Sequence, residues 1–177
     1  RPDQAQELEF DNWFRNSAVS TPEGNPKVVY HASNSGDISS FYPWTHFGTA
    51  KAAQSRAREI GATTTYPSFL SIQNPLRVRD IGTTESGFWD PERLINAIPN
   101  SAVDWSKWTG GKQGLIDDAK IDDDLEIVSE FLERNGYDGI AYQNEIEDPG
   151  SESYIAFNPE QVRSAISPIQ QANVGWD

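Results

Sequence analysis

At 177 residues the chain is long enough to bury one substantial core and too short to suggest two ordinary domains. Its 14 Lys and Arg stand against 27 Asp and Glu, a formal net charge of -13 that works against non-specific binding to a nucleic-acid backbone by counterion release. Cysteine is absent, which excludes disulfides and cysteine-based zinc sites, and only His31 and His46 supply imidazoles. No apolar stretch approaches the roughly 20 residues of a membrane span, and the amino terminus carries neither a basic start nor an apolar signal core, so a soluble protein is expected. The chain starts at Arg1 and contains no methionine, which reads as a piece of a longer polypeptide.

In chain order, Phe10, Trp13 and Phe14 recur at helical spacing and predict a short helix with one apolar stripe, followed by a turn over TPEGNP (21–26). KVVYH (27–31) is β-branched and aromatic and predicts a strand that leaves His31 at its exit, with the polar run 32–40 ending it. Ala50, Ala53, Ala57 and Ile60 predict a helix capped by Thr49 and closed by Gly61. Strand pieces are expected over 68–72 and 76–78, split at Asn74-Pro75. Asp90-Pro91 then reads as a cap followed by proline at the first helical position, with Leu94, Ile95 and Ile98 inward.

Residues 102–113, with Trp105, Trp108 and Gly110-Gly111, have no clear period and predict a loop bordering a cleft. The acidic run 122–124 sits where a helix macrodipole favours carboxylates, ahead of Leu125, Val128, Phe131 and Leu132, and Gly136 ends that helix. Strands over 139–142 and 154–157 flank the acidic loop QNEIEDPGSES, and the tail beyond Pro168 is expected to be mobile. The acidic run lacks the spacing of a calcium loop, and Gly110-Gly111-Lys112 lacks that of a phosphate loop, so neither is assigned and no metal site is proposed. Without a regular βαβ rhythm, the fold class is α+β.

Four blocks in order, VVYHAS, HFGTAKAAQSR, YPSFLSIQNPLRVRD and GYDGIAYQNEIEDPGSESYIAFNPEQVRSA, resemble the ADP-ribosyltransferase domains of phage and prophage polyvalent proteins over roughly residues 8–168. The resemblance implies two packed, mostly antiparallel sheets around a cleft. It also implies one domain with a helical lead-in (1–26), a catalytic core (27–168) and a tail (169–177). The donor it implies is NAD, with nicotinamide released and no metal. The acceptor is a macromolecule, protein being favoured over nucleic acid by the acidic balance. Delivery by phage or a secretion system and a cognate inhibitor or immunity protein belong to the same implication.

In the His-Tyr-Glu branch of that superfamily a strand-end histidine holds the adenosine ribose and the next residue's backbone holds the carboxamide. By resemblance these roles fall to His31 and Ala32, with Ser33, Tyr42, Thr49, Asn144 and Ser153 completing the NAD-binding set. The stacking tyrosine is replaced, so His46 or Phe47 is expected to flank the nicotinamide. Ser153 stands immediately before the YIAF strand where the family has its glutamate, leaving Glu147 as first candidate for the catalytic carboxylate and Glu152 as second. A fixed carboxylate is needed because breaking the nicotinamide–ribose bond puts positive charge on the ribose ring. Two rivals stand beside transfer: an NAD glycohydrolase using water, and a non-catalytic NAD- or nucleotide-binding module.

Overall fold

The computed structural model describes residues 3–34, 41–122 and 124–166. The expected tail and most of the polar run after His31 therefore lie outside the described residues. The chain opens with α1 (Gln4–Phe14), whose Asp3 accepts the Gln6 amide while the Gln6 side chain accepts the Asp3 amide. Its aromatic stripe meets the body as expected: Phe14 is buried, Phe10 packs edge-on against Phe69, and the Trp13 indole donates to the Glu160 carbonyl. The 21–26 turn forms, with Gly24 at φ +86°.

Among the described residues, seven strands form two sheets. The first has the order β1 (Val29–Ser33), β3 (Thr64–Leu70), β7 (Val162–Ser164), antiparallel throughout. The second runs β2 (Thr45–Phe47), β6 (Glu152–Ala156), β5 (Gly139–Gln143), β4 (Pro75–Arg79), antiparallel except for β4 beside β5. A parallel pair needs a long crossover; here it consists of α3 (Pro91–Ala97), α4 (Gly111–Asp122) and α5 (Leu125–Arg134). Between β2 and β3 lies α2 (Ala50–Ile60), capped by Thr49 and ended by Gly61 at φ +72°.

Alternation along β5 and β6 divides the core. Ile140, Tyr142 and Ile155 face Leu94, Ile95, Leu115, Phe131 and Leu132 of the helical layer, whereas Ala141, Tyr154 and Ala156 face Val29, Phe47, Leu70 and Ile72 between the sheets. Covered on both sides, β5 reads as the apolar run Gly-Ile-Ala-Tyr. This is the α+β architecture expected.

Three expectations are corrected. Residues 102–113 are not a loop at the cleft: short 3-10 turns at Asn100–Ala102 and Trp105–Lys107 lead into α4, and Trp105 and Trp108 pack on Phe131. The strand expected over 68–72 starts at Thr64 and ends at Leu70, with Pro67 paired opposite Tyr30 and its carbonyl accepting from Ala165. The break falls before Pro75, at Gln73 and Asn74, whose amides both donate to Asp138 at 2.8 Å.

Phe131 is fully buried against the stacked Trp105 ring, with centroids 5.3 Å apart. Phe131→Ala is expected to cost about 3–5 kcal/mol in urea unfolding followed by tryptophan fluorescence; a loss under about 1 kcal/mol would contradict this packing.

Candidate functional site

Among the described residues, β1 and the end of β2 are joined by one backbone rung. Tyr30 and Gly48 exchange backbone hydrogen bonds of 2.8 and 2.9 Å, joining β1 to the end of β2. The next rung would pair Ala32 with His46, but the strands part there. The His46 carbonyl is taken instead by the His31 Nδ1–H at 2.8 Å. In an antiparallel ladder alternate residues turn both backbone groups to the same side. Ala32 therefore turns its N–H and C=O the way Tyr30 does, into the gap. A carbonyl only accepts, so the proton sits on His31 Nδ1, and a neutral ring keeps Nε2 as an acceptor.

The imidazole chain continues inward. His46 Nδ1 lies 2.8 Å from the Tyr142 hydroxyl, and its ring meets Trp89 edge to face. Burial pushes His46 down to about 3, helped by the charges of His31 and Arg56. Burial also lowers His31, and it raises Tyr142. Burial thus disfavours the charged form of both imidazoles, which stand in the wall as hydrogen-bonding groups.

The acidic loop after β5 is tied down by Asn144, only 3% exposed. Its Oδ1 accepts the amides of Ile146, Glu147 and Asp148 at 3.0, 2.8 and 3.0 Å. Its Nδ2 donates to Glu147 Oε2 at 2.9 Å and to Ser153 Oγ at 3.2 Å. From the other side Asp80 accepts the amides of Gly82 and Glu145 at 2.9 and 3.0 Å. The Glu147 carboxylate is thus held by a buried amide on a loop fixed at both ends.

These groups surround a cavity of about 340 Å3. Of the expected site residues, His31, Ala32, Tyr42, His46, Phe47, Asn144, Glu147 and Ser153 line it. Ser33, Thr49 and Glu152 do not. Thr49 caps α2 and donates to Asp148 at 2.6 Å. Glu152, one residue from Ser153 on β6, pairs with Arg77 at 2.8 Å. Phe47 is 1% exposed and packed among His31 and Phe41, whereas Tyr42 is 80% exposed.

Sequence reading missed Arg56 on α2, Tyr142, and the segment from Asp80 to Trp89 that forms the opposite wall. Asp80 at the end of the strand LRVRD was the one local signal for that wall. Trp44 also lines the cavity. It has φ +67°, and its buried indole nitrogen has no hydrogen-bond partner among the described residues. A left-handed non-glycine residue is held by its surroundings: the Trp44 amide donates to Ala156 at 3.0 Å and the ring packs on Phe157. Among the described residues no group of three or more His, Asp or Glu is placed to hold a metal, and no helix is long and apolar enough to cross a membrane.

The family model described as ADP-ribosyltransferase in polyvalent proteins matches residues 22–171. The chain belongs to this family. No curated protein and no solved structure matches it. The match to this ADP-ribosyltransferase family starts at the turn after α1 and takes in both sheets and the entire cavity wall.

Both imidazoles of this ADP-ribosyltransferase-family domain are held below the unfolded value of about 6.5. The unfolded chain then takes up protons that the folded chain refuses. Stability from this source is complete above that value and is lost as pH falls, for His46 down to about 3. Denaturant melts from pH 7 to 5 should show that loss, and His46→Gln should flatten the slope by up to about 1.4 kcal/mol per pH unit. An unchanged slope in the variant would mean that His46 is not held neutral.

Proposed function

We propose that the domain is a mono-ADP-ribosyltransferase that takes NAD as donor, releases nicotinamide and uses Glu147 as its catalytic carboxylate. The observation that carries this reading is the position of Glu147. It stands on the cavity wall under the Asn144 amide, together with the neutral imidazoles of His31 and His46, while Glu152 is turned to Arg77 outside.

The cavity fits the donor. Its volume is in the range of small-molecule sites, aromatic side chains stand among its lining residues, and one of these, Trp44, has a buried indole nitrogen with no partner among the described residues. Bound NAD would supply a bond between nicotinamide and ribose whose cleavage develops positive charge on the ribose ring. His31 Nε2, as an acceptor, suits a ribose hydroxyl. The free-facing Ala32 backbone offers one donor and one acceptor, which match a carboxamide. Tyr42 supplies the open aromatic face for stacking, since Phe47 is packed into the core. Glu147, fixed by Asn144, stabilises the developing positive charge without having to reorganise, and it can take the proton from an attacking nucleophile. The acidic balance of the chain favours a protein acceptor.

Nicotinamide release and transfer of label from NAD to proteins of a cell lysate test the reading. Glu147→Gln should lower both about 100- to 1000-fold, the scale of losing one preorganised electrostatic group. Glu152→Gln should stay within about threefold of wild type, because the partly exposed Glu152–Arg77 pair lies off the cavity wall. Activity that survives in Glu147→Gln, or disappears in Glu152→Gln, would overturn the assignment. Release that needs no lysate would replace transfer with hydrolysis.

A further inference from the structure

A dinucleotide donor brings two negative charges in its pyrophosphate, and this chain is strongly acidic. Of its 14 Lys and Arg only Arg1 lies outside the described residues, and of the others Arg56 alone lines the cavity. Residues 35–40 and 167–177 contain no Lys or Arg and cannot add one. Neutral His31 and His46 add no positive charge either.

Arg56 shares one face of α2 with Ala52, Ala53 and Ile60, all on the cavity wall. The two alanines leave space, and the long arginine crosses it. Its Nη2 lies 3.5 Å from where a Cβ on Gly87 would stand, so the guanidinium reaches the opposite loop at its left-handed glycine. Nη1 is paired with Glu59 at 3.0 Å, but Glu59 is exposed and such an i,i+3 surface pair is weakly held. The lining carboxylates are otherwise committed or apart: Asp80 accepts two amides, Glu147 is held by Asn144, and Glu85 is on the loop.

Resting on the donor reading above, we propose that Arg56 and the loop around Gly87 form the pyrophosphate subsite, with Arg56 exchanging Glu59 for phosphate oxygens. The planar fork of arginine matches two phosphate oxygens at once, which a lysine does not reproduce.

The test is calorimetric titration of the domain with NAD, ADP-ribose, NADP and, as an uncharged control, adenosine. Arg56→Gln should weaken ADP-ribose about 10- to 100-fold, Arg56→Lys should recover part of that, and adenosine should bind all three alike. Glu59→Gln, which removes the competing carboxylate, should tighten ADP-ribose about two- to fivefold. Thermal melts confirm that each variant is folded. ADP-ribose affinity in folded Arg56→Gln within twofold of wild type would overturn the subsite and leave the donor reading standing. A loss confined to NADP would overturn it in favour of a 2'-phosphate contact. Failure of the wild type to bind either NAD or ADP-ribose would overturn both.

Discussion

The architecture of the site depends on a single reciprocal pair of backbone hydrogen bonds between Tyr30 and Gly48. If β1 and β2 paired along their length, the two sheets would merge and leave no gap; this rung joins their backbones at one end while the core between them holds the rest of the spacing. Position 48 also has almost no space for a side chain, since a Cβ there would lie 3.0 Å from Ser153 Oγ and 3.2 Å from the Ala52 Cβ. One step beyond the rung the His31 imidazole replaces the backbone partner of His46. The opening of the cleft thus leaves that carbonyl satisfied, as a buried polar group requires.

The same accounting explains why part of the acidic loop is structured. Leaving a buried amide or carboxylate unpaired costs roughly 1–3 kcal/mol or more, and Asn144 and Asp80 between them accept five backbone amides. The loop therefore closes around Asn144, and Glu147 is carried to the cavity as a consequence. Glu145 and Asp148 come from the same acidic run yet meet different partners, Asp80 through the Glu145 amide and Thr49 and Lys51 through the Asp148 carboxylate.

Enclosure has an electrostatic result. Burial disfavours the positive charge on both histidines and leaves the cavity, among the described residues, with uncharged donors and acceptors, one cation on α2 and the carboxylates of Asp80, Glu85 and Glu147. In a site shielded from water each remaining charge acts more strongly than it would on the surface. On the proposed donor reading, a chain with net charge -13 would meet the anionic part of its ligand through the one cation on the cavity wall, Arg56.

What could be read from the sequence was local chemistry. Caps at Thr49, Asp90 and Asp124, the left-handed Gly61 and the aromatic stripe of α1 all depend on neighbours within one or two turns. That His31 belongs to a strand was legible for the same reason, as were the ordered blocks of the family, but the expected exit at His31 was not met: β1 continues through Ala32 to Ser33 because both pair with β3. The helix α4 was not. Gly111 and Gly114 lower its intrinsic propensity, and it is held by Leu115, Ile116 and Ala119 packed into the core beneath α3 and α5. Nor could sequence decide which of Glu147 and Glu152 lines the cavity. A strand exposes successive residues on opposite faces, so Glu152 meets Arg77 while Ser153 reaches Asn144, and only the pairing of β6 with β2 and β5 settles which face looks inward. Arg56, Gly87 and Glu147 lie tens of residues apart in the chain, and it took the tertiary fold to bring them to one cavity, because a hydrophobic core fixes positions that no local signal encodes.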